Sequence, residues 1–524
     1  MILSSSEKSY AITLNSFVRK TVFRLSMRSL FSWLLIGVGL SACSPRAYSP
    51  ERMYQPQQLQ KDFQIMRASL EAGHPGLYWY TSKAKLDSAF DATVQALNRP
   101  MTEMEFRRQL DPLVELIHCG HTNVRGSRSF ERWRKHHTPK DFPLSVFEMT
   151  DRIFVSSNFS NQPELWKGQE VVKIDGRPAR EVYHTLRSLV ISDGYNQTFK
   201  NTTILNNFPT YYRYWYGEKE TYDVTVLDSL KQEKTYQIQW KKEEKPKGAV
   251  VASVRPVTGQ VRPTRVPALT PTKTYGNRHA HLSISSRDSS LAILDLNTFS
   301  INNYRRLFRR LFRQIERNHI QHLVLDLRNN GGGRVAASNL LMRYVMDQPF
   351  QAYQSVESLP HSSTYNRYTN ERLARTFMLK VVAKRLPDGR RIIRHATRTQ
   401  KPVRKYGYHG DMYILTNGGS FSASSITAAN LQFWKRAVII GRETGGGRNG
   451  CTAWTIPYLT LPQSHLRIRF PLFKALTAVT DPNEGHGVIP DHPITFTAID
   501  LLANQDPDIE KVYELLRGGR LVKE

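Results

Sequence analysis

Four serines follow a short apolar stretch and two glycines in the second half of the chain. Residues 412–432 read MYILTNGGSFSASSITAANLQ, which predicts a buried strand, a tight turn and a helix that begins near Ser422. We expect Gly418 and Gly419 to supply the positive φ angles of a sharp bend. The free N–H groups at the start of a helix favour an anion, as does the helix dipole. This pattern is typical of a serine nucleophile beside an oxyanion site, to which the N–H of Ala423 would contribute.

The same serines have an ordinary structural explanation. Serine is among the residues that most often cap a helix N-terminus. Four serines stand close to the predicted helix start, at positions 420, 422, 424 and 425. Taken alone, this segment does not separate a nucleophile from a cap.

A second glycine-rich turn strengthens the catalytic interpretation. Residues 322–327 read HLVLDL, a short apolar strand, and RNNGGG follows before an apolar-periodic helix. Two strand–turn–helix units predict a parallel sheet, and ligands bind such sheets at the carboxyl ends of the strands. The two turns would then face each other, and the N–H of Gly331 or Gly332 would supply the other oxyanion donor.

Other uses of glycine turns fit less well. Neither turn is followed by Lys-Ser/Thr or contains G-x-G-x-x-G, so a nucleotide site finds little support. The lipase-type elbow G-x-S-x-G is excluded, because residues 418–422 read GGSFS. Metal chemistry has no motif such as H-E-x-x-H behind it, and we predict no cofactor.

The two turns together resemble the C-terminal processing (tail-specific) serine peptidase family. In that family a Leu-Arg-Asn-Asn-x-Gly-Gly turn precedes a Ser-x-Ser-Ala-Ser turn, whose middle serine is the nucleophile and matches Ser422 here. The resemblance extends from about residue 59 to residue 490. It implies an α/β catalytic core of ClpP/crotonase-like βαβ units with a mixed sheet, and peptide hydrolysis through an acyl-enzyme.

One departure from the family pattern concerns the general base. Many members use a lysine in the turn after the next strand, and the matching position here is Gly447. The neighbouring Arg448 cannot substitute, because a guanidinium does not release its proton in a protein. The branch without this lysine, which includes the tricorn core peptidase, uses a histidine from the N-terminal region.

The resemblance therefore places the base and its orienting carboxylate far from the serine in sequence. A His-Cys-Gly-His-Thr-Asn segment is similar to a Gly-His-Thr turn of cell-envelope members, which puts the base on His121. The segment 483–491 resembles the family's closing Glu-x-x-Gly-Val-x-Pro-Asp sequence, and Glu484 is its candidate orienting residue. His118 and His486 are neighbours that remain possible substitutes.

The N-terminus predicts secretion and lipidation. From Met27 a basic start, a short apolar run and small residues lead to Leu-Ser-Ala-Cys43. The run is too short to span a membrane and is typical of a signal peptide. The last four residues resemble a bacterial lipobox, which implies cleavage before Cys43, a lipid anchor on its thiol and an envelope location, in the periplasm or outer membrane of a Gram-negative bacterium. Residues before Met27 suggest an over-extended start.

Length and composition predict a multidomain protein. A chain of 524 residues is too long to fold around a single hydrophobic core. We expect a signal peptide over 1–43, an N-terminal helical cap over 44–130 and a PDZ-like, β-rich domain over 140–240. A linker over 241–273, an α/β peptidase core over 274–500 with an insert at 351–405, and a C-terminal helix over 501–524 complete the prediction.

The formal net charge of +29 is spread over the chain and forms no single nucleic-acid-binding element. Because the chain begins with a predicted secretion signal, attraction to anionic lipid head groups or acidic peptides explains the positive charge better than nucleic-acid binding does. We therefore expect a peptide or unfolded protein as substrate and the membrane as partner. The oligomeric state stays open.

Two alternatives and one pairing remain open at this stage. A binding protein on the same fold, with an idle serine, would explain the missing lysine, and an esterase would share the site and differ in substrate. Cys119 and Cys451 flank the predicted site, either as a disulfide or as two separate thiols.

Overall fold

A computed structural model describes residues 48–137, 139–241, 273–360, 368–370, 379–479, 484–497, 500 and 505–518. The expected signal peptide with Cys43, nearly all of the expected linker, parts of the expected insert, and residues 501–504 and 519–524 lie outside these residues. The chain from Pro50 onward forms one compact unit, and of the other unit, Met1–Ser49, only the last two residues are described.

The N-terminal region is mainly helical, as its periodicity predicts. Its elements are β1 (Met53–Tyr54), α1 (Pro56–Gly73), α2 (Lys83–Ala96), β2 (Met101–Thr102), α3 (Glu103–Glu115), β3 (Asn123–Arg125) and α4 (Arg128–His136). The first two helices end before Pro75 and Pro100, where proline was expected to interrupt them. His121 lies between α3 and β3.

The next region combines strands with two helices. Its elements are β4 (Leu144–Met149), β5 (Arg152–Asn158), β6 (Glu170–Ile174), β7 (Arg177–Pro178), α5 (Ala179–Ser188), α6 (Thr198–Tyr216), β8 (Tyr222–Leu227) and β9 (Glu233–Ile238). The sheet order is β4-β5-β6-β8-β9, and β7 pairs with β6. Short strands were expected to dominate, with one helix through Val182 and Leu186 that matches α5, so only the 19-residue α6 was not predicted. Its Phe208 and Tyr212 pack in a separate core with Phe142, which stabilises the helix despite the internal Pro209.

The C-terminal region contains the largest sheet. Its elements are β10 (Lys273–Gly276), β11 (Ala280–Ile284), β12 (Leu291–Leu296), α7 (Tyr304–Arg317), β13 (His322–Asp326), α8 (Val335–Val345), β14 (Tyr353–Glu357), β15 (Lys384–Arg385), β16 (Arg391–Ile392), β17 (Asp411–Thr416), α9 (Ala423–Phe433), β18 (Val438–Gly441), β19 (Gly450–Ala453), β20 (Tyr458–Thr460), β21 (Arg467–Arg469), β22 (Phe473–Thr477), β23 (His492–Pro493) and α10 (Pro507–Arg517). The seven-stranded sheet has the order β10-β11-β12-β13-β17-β18-β23. Its pairs are parallel from β12 onward, whereas β10, β11 and β12 pair antiparallel, so the sheet is mixed, as expected.

The register of this sheet brings the two predicted turns together. Strands β13 and β17 are adjacent and parallel, and Asp326 pairs with Leu415 near their carboxyl ends. The glycine turn after β13 and the serine turn after β17 therefore leave the same edge of the sheet. This arrangement confirms the parallel pairing that the two strand–turn–helix units predicted.

A small sheet joins the N-terminal region to the rest of the chain. Strand β3 pairs with β21, which pairs with β20. Because β3 begins two residues after His121, this pairing fixes the histidine segment against the C-terminal region. Another sheet, β15-β16-β14-β22-β19, contains a hairpin around residue 388, where Pro387-Asp388-Gly389 predicts a turn inside the expected insert.

Helix α7 has the amphipathic character that its sequence predicts. Leu307, Phe308, Leu311, Phe312 and Ile315 are buried, and the arginines between them are exposed. None of the helices in the described part of the chain is both long enough and apolar enough to cross a membrane.

Asp62 of α1 is expected to be a strong link between the N-terminal helices and the C-terminal region. Its carboxylate is buried and accepts hydrogen bonds from Gln463 N–H at 3.0 Å, Ser464 N–H at 2.7 Å and Ser464 Oγ at 2.6 Å. Asp62→Ala would leave these donors buried without an acceptor, at about 1–3 kcal/mol for each group. We expect a fall in the melting temperature of several degrees, measured by circular dichroism. The matched variant Lys61→Ala changes an exposed neighbour and should leave the melting temperature within about 1 °C of wild type; equal melting of both variants would contradict the assignment.

Candidate active site

Ser422 occupies the last position before helix α9 in an unusual backbone conformation. Its φ is 56° and its ψ is −120°, and its hydroxyl does not cap the helix. The Oγ lies 3.2 Å from Nε2 of His121, which is 301 residues away in sequence. The structure therefore brings together the predicted nucleophile and the predicted base.

The hydroxyl groups of the neighbouring serines either donate to backbone carbonyls or have no hydrogen-bond partner among the described residues. Ser420 Oγ donates to the carbonyl of Leu327 at 2.8 Å, and Ser425 Oγ donates to the carbonyl of Ser420 at 2.8 Å. Ser424 Oγ is buried with no hydrogen-bond partner among the described residues. Of the four serines, Ser422 alone has its hydroxyl next to a potential base.

The glycines before the serine turn are needed for a different reason from the one predicted. Neither Gly418 nor Gly419 has a positive φ; the positive angle falls on Ser422 itself. A Cβ on Gly418 would lie 2.0 Å from the carbonyl oxygen of Thr198, and one on Gly419 would lie 2.7 Å from Cα of Asn329. These positions require glycine because backbone packs directly against them.

A reciprocal pair of asparagines fastens the two turns together. Asn329 N–H donates to Oδ1 of Asn417 at 2.9 Å, and Nδ2 of Asn417 donates to Oδ1 of Asn329 at 3.1 Å. The N–H of Phe421 donates to the carbonyl of Asn330 at 3.0 Å. The turn after β13 thus holds the residue that precedes Ser422.

The backbone donors expected for an oxyanion differ in availability. Gly332 has a φ of 91° and packs so tightly that a Cβ would lie 2.9 Å from the N atom of Ala423, but its own N–H already donates to Oδ1 of Asn330 at 2.9 Å. The N–H groups of Gly331 and Ala423 have no acceptor among the described residues. Gly331 is exposed, and a Cβ there would meet open space. Gly331 and Ala423 are therefore the available donors.

His121 is buried, with 8% of its surface exposed, and burial lowers its pKa to about 4, with a further contribution from the positive charge of Arg469. The imidazole is therefore neutral at pH 7. If Nε2 accepts the Ser422 proton, Nδ1 must carry the ring hydrogen. Nδ1 is buried and has no hydrogen-bond partner among the described residues.

A chain of buried hydrogen bonds supports the histidine segment. Because Nδ1 of His74 accepts from Gly76 N–H at 3.1 Å, its Nε2 carries the hydrogen and donates to Thr122 Oγ1 at 2.8 Å. Thr122 Oγ1 donates to Sγ of Cys119 at 3.1 Å, and that sulfur lies 2.8 Å from Oγ1 of Thr452. Cys119 is therefore a structural thiol here.

The cysteine pairing left open by the sequence is resolved in favour of thiols. Cys119 and Cys451 are both free and buried. Burial raises the pKa of Cys119 to about 11, and it also raises the pKa of Cys451. Neither thiol is a nucleophile under ordinary conditions.

The structure does not bring Glu484 into contact with His121. Glu484 is exposed and its Oε1 accepts a hydrogen bond from Nε1 of Trp79 at 2.5 Å. The Nζ of Lys474 lies over the same indole ring, 3.5 Å from its centroid. The orienting role of Glu484 stays a prediction.

The two substitute histidines have other neighbours. His118 Nδ1 lies 3.9 Å from Oε1 of Glu115, and burial lowers the pKa of this imidazole. His486 is exposed, with Nδ1 3.5 Å from Oε1 of Glu443. No hydrogen bond joins either histidine to Ser422 among the described residues, so the geometry favours His121 as the base.

Asp193 is a site residue that the sequence did not identify. Its Oδ1 accepts a hydrogen bond from the N–H of Gly120, immediately before His121, at 2.7 Å. The side chain is buried, which raises its pKa to about 7, and the N–H groups of Gly120 and Gly447 oppose this shift. An Asp-Gly pair between predicted strands suggests a turn, so no local signal marked this carboxylate.

The segment after Asp193 contacts several of the turns around the serine. Gly194 N–H donates to the carbonyl of His118 at 2.9 Å, and Tyr195 N–H donates to the carbonyl of Gly485 at 2.8 Å. Nδ2 of Asn196 donates to Oε1 of Glu443 at 2.9 Å. This connection between α5 and α6 therefore joins the β-rich region to the site.

Asp193 is expected to make stability fall as the pH rises towards neutrality. Its carboxyl has a folded pKa of about 7 against an ordinary value of 3.8. The folded state holds this proton more tightly, so the penalty for ionisation is absent below pH 3.8, develops as the pH rises and is complete above pH 7. Asp193→Asn keeps an oxygen for Gly120 and cannot ionise. We expect its melting temperature, relative to wild type, to rise between pH 4 and pH 8 by several degrees, as followed by differential scanning fluorimetry.

The matched comparison for Asp193→Asn is Asp223→Asn, at an exposed carboxylate of the β-rich region. Its melting temperature relative to wild type should not vary with pH in this way. A constant difference for Asp193→Asn across the same range would show that the carboxyl titrates normally.

Comparisons with known proteins identify a peptidase domain in the C-terminal region. The model of peptidase family S41 matches residues 290–494, which include both turns and Glu484. Mature CPAF complexed with lactacystin is 15% identical, has a TM-score of 0.63 and aligns over 88% of this chain and 98% of its own. Mature CPAF alone is also 15% identical, has a TM-score of 0.61 and aligns over 88% of this chain and 97% of its own. At this identity the likeness shows a shared fold. A photosystem II D1 C-terminal processing protease is also 15% identical, over 87% of this chain and 97% of its own, with a TM-score of 0.41. Residues 290–494 thus form a peptidase family S41 domain, and the chain is a serine peptidase.

Proposed function

We propose that the protein cleaves peptides or the C-terminal ends of proteins, with Ser422 as nucleophile and His121 as general base. The observation that carries this proposal is the 3.2 Å separation of Ser422 Oγ and His121 Nε2. A general base must lie within hydrogen-bond reach of the proton that it removes, and this pair meets that condition. The positive φ of Ser422 adds support, because strained backbone is common at active sites.

The reaction begins when the neutral His121 imidazole accepts the Ser422 proton at Nε2. Ser422 Oγ attacks the carbonyl carbon of the scissile peptide bond, and the carbonyl oxygen gains the negative charge. His121 then gives its proton to the departing amine, which leaves an ester between Ser422 and the acyl part of the substrate. Water, activated by the same imidazole, hydrolyses this ester and restores the serine.

The oxyanion is held by the N–H groups of Gly331 and Ala423 in this proposal. Ala423 is the first residue of α9, so its N–H also carries the positive end of the helix dipole. Gly332 contributes by letting the two turns approach, since its own N–H is bound to Asn330. Loss of one such donor in other serine peptidases costs about 10²–10³ in kcat.

The third member of the proposed site is a carboxylate. Glu484 fills this role in the site that we propose by family resemblance, and to act on His121 it would have to exchange its hydrogen bond with Trp79. Asp193 supports the segment that carries the base, through the backbone N–H of Gly120. Glu484 is thus a candidate for contact with the imidazole, and Asp193 is a positioning residue.

The proposed location is the bacterial cell envelope, with the chain attached through acyl groups on Cys43. The support is the lipobox-like sequence before Cys43 and the short apolar run ahead of it. Attachment by lipid would leave the peptidase exposed to unfolded or released chains in the envelope.

Ser422 is expected to react covalently with a fluorophosphonate probe. The experiment uses the chain from residue 44 onward, with probe incorporation read by gel fluorescence and the labelled residue found by mass spectrometry. Ser422→Ala should abolish labelling, and His121→Ala should slow it by at least about 10² because the hydroxyl loses its base. Ser424→Ala removes a buried hydroxyl two residues away and should label at close to the wild-type rate.

Two results would contradict this site. Labelling that survives His121→Ala at an unchanged rate would remove that histidine as base. A folded wild-type sample that does not label at Ser422 would mean that the serine is not activated.

The rate of Ser422 labelling should persist to unusually acidic pH. His121 acts as a base only when neutral, and its pKa is lowered to about 4. Labelling should therefore stay constant from pH 8 down to about pH 5 and fall below that, whereas an ordinary histidine would lose half its activity near pH 6.5. Circular dichroism at each pH confirms that the chain is still folded. A midpoint near pH 6.5 would show that His121 is more solvated than its burial implies.

A further inference from the structure

One face of the small sheet β20-β21-β3 carries a group of polar and basic side chains beside the catalytic pair. Arg469 pairs with Asn123, and Arg467 pairs with Arg125, in adjacent antiparallel strands. Paired residues point to the same side of a sheet, so these four share one face, while Ile468 and Val124 are buried on the other. His121 lies just before this strand.

Two of the three arginines on this face have no carboxylate partner within the part of the chain that the structure describes. Arg467 is occupied: its Nε donates to the carbonyl of Gly126 at 2.8 Å and its guanidinium lies 3.5 Å from Glu131. Arg125 bonds only to the amide oxygen of Asn123, at 3.2 Å, and Arg469 makes no ion pair with a described residue. Arg125 and Arg469 occupy diagonal positions, which lie roughly 7–8 Å apart in such a pair and somewhat less at Cβ, within the common reach of two long side chains.

A cavity of about 420 Å³ borders this face and reaches the histidine segment. Gly120, Thr122, Asn123, Arg125, Phe199 and Tyr211 are among the residues that line it. Gly120 and Thr122 flank His121, and the ring of Phe199 lies 4.9 Å from that of Phe421, next to Ser422. The cavity therefore runs from the residues on either side of His121 to Arg125, while Arg469 lies beside it on the adjacent strand and does not line it.

Other charges that line the cavity are already paired. Arg107 lies 3.6 Å from Asp111, Arg134 lies 3.1 Å from Glu131, and Arg213 donates to Asp141 at 2.6 Å. Each of these arginines has a carboxylate partner, although Arg134 shares Glu131 with Arg467, whereas Arg125 and Arg469 have none among the described residues. A guanidinium in such a place attracts an anion that can accept hydrogen bonds from its planar fork.

We propose that Arg125 and Arg469 form a subsite that binds a carboxylate of the peptide substrate next to the bond that is cleaved. The carboxylate comes either from an aspartate or glutamate side chain or from the free C-terminus of the chain. This inference rests on the proposed peptidase function and names the class of substrate. The lowered pKa of His121 supports it, since Arg469 is the charged group that contributes to that shift.

Peptide selection on the inactive variant tests the subsite without relying on turnover. Ser422→Ala protein is incubated with three pools of acetylated nonapeptides, otherwise randomised, and the retained peptides are quantified by mass spectrometry. One pool has a central glutamate and an amidated end, the second a central glutamine and a free carboxylate, and the third a central glutamine and an amidated end. Fluorophosphonate labelling of the wild-type protein is measured separately, so that failure of the catalytic proposal is seen independently.

We expect retention of at least one carboxylate pool to exceed that of the third pool by about tenfold, which corresponds to one charged hydrogen-bonded contact. Enrichment of the first pool identifies an internal acidic residue, and enrichment of the second identifies the chain terminus. Adding Arg125→Gln and Arg469→Gln should abolish the enrichment. Equal retention of all pools, no retention, or enrichment that persists in this double variant would overturn the proposal.

Two further variants separate the subsite from general effects of charge and folding. Arg309→Gln with Arg313→Gln removes the same charge from the exposed face of α7 and should leave the enrichment intact. Arg125→Lys with Arg469→Lys keeps the charge but loses the planar fork, so partial enrichment should remain. If the variant with both Arg→Gln substitutions does not fold, the variant with both Arg→Lys substitutions tests the proposal. Unchanged enrichment in the Arg→Lys variant would contradict recognition by the guanidinium fork.

Discussion

Ser422 adopts a backbone conformation that costs a residue other than glycine on the order of 1–3 kcal/mol, and its neighbours hold it there. Phe421 N–H is fixed to the carbonyl of Asn330, and Ile426 N–H to the carbonyl of Ser422, both at 3.0 Å. The carbonyl of Ser420 accepts from Gly445 at 2.9 Å and Gly446 at 3.2 Å. Anchored on both sides, the backbone turns the hydroxyl away from the helix that it would otherwise cap and towards His121. The strain is therefore tied to the geometry of the catalytic pair.

That geometry depends on regions that are distant in sequence. The turn after β13 holds Phe421, the turn after β18 holds Ser420, and the segment from Gly194 to Asn196 joins the histidine, Glu484 and Glu443 turns. Gly418 packs against the carbonyl of Thr198, at the start of α6. Because of these contacts, a shift of the β-rich region would also move this segment, and with it the histidine segment and the serine turn. The β-rich region is in this sense part of the active site's framework, whether or not it binds peptide ends.

The parts of the site that the sequence predicted are those with local signals. A short apolar strand, a glycine turn and an apolar-periodic helix are each defined within about 20 residues, so β13, β17, α8 and α9 were placed correctly. Glycine at 418 and 419 was correctly marked as necessary, but the reason was wrong, because close packing is a property of the folded chain. Helix α6 was missed because its stability comes from the aromatic core around Phe142 and not from helix propensity.

Contacts between distant segments carried no such signal. Resemblance to a family suggested His121, and only the fold shows that its Nε2 meets Ser422. Neither a local sequence pattern nor the family resemblance pointed to Asp193, because its role depends on its burial beside the Gly120 backbone. Glu484 was suggested by a motif, and its observed partner, Trp79, is more than 400 residues away.

The absence of a lysine base at position 447 also has a steric explanation. A Cβ on Gly447 would lie 2.6 Å from the carbonyl oxygen of Gly450, so this turn has no space for a longer side chain without a backbone shift. In the proposed mechanism His121 serves instead as an uncharged base, and its burial near Arg469 makes it a weak one, because the imidazolium formed during attack would be next to a positive charge. A substrate carboxylate bound by Arg469 would cancel that charge and raise the pKa of His121 at the moment when the base is needed. Recognition of an acidic or terminal carboxylate would then increase the reactivity of Ser422 itself, so that chains without one would bind less well and also react more slowly once bound.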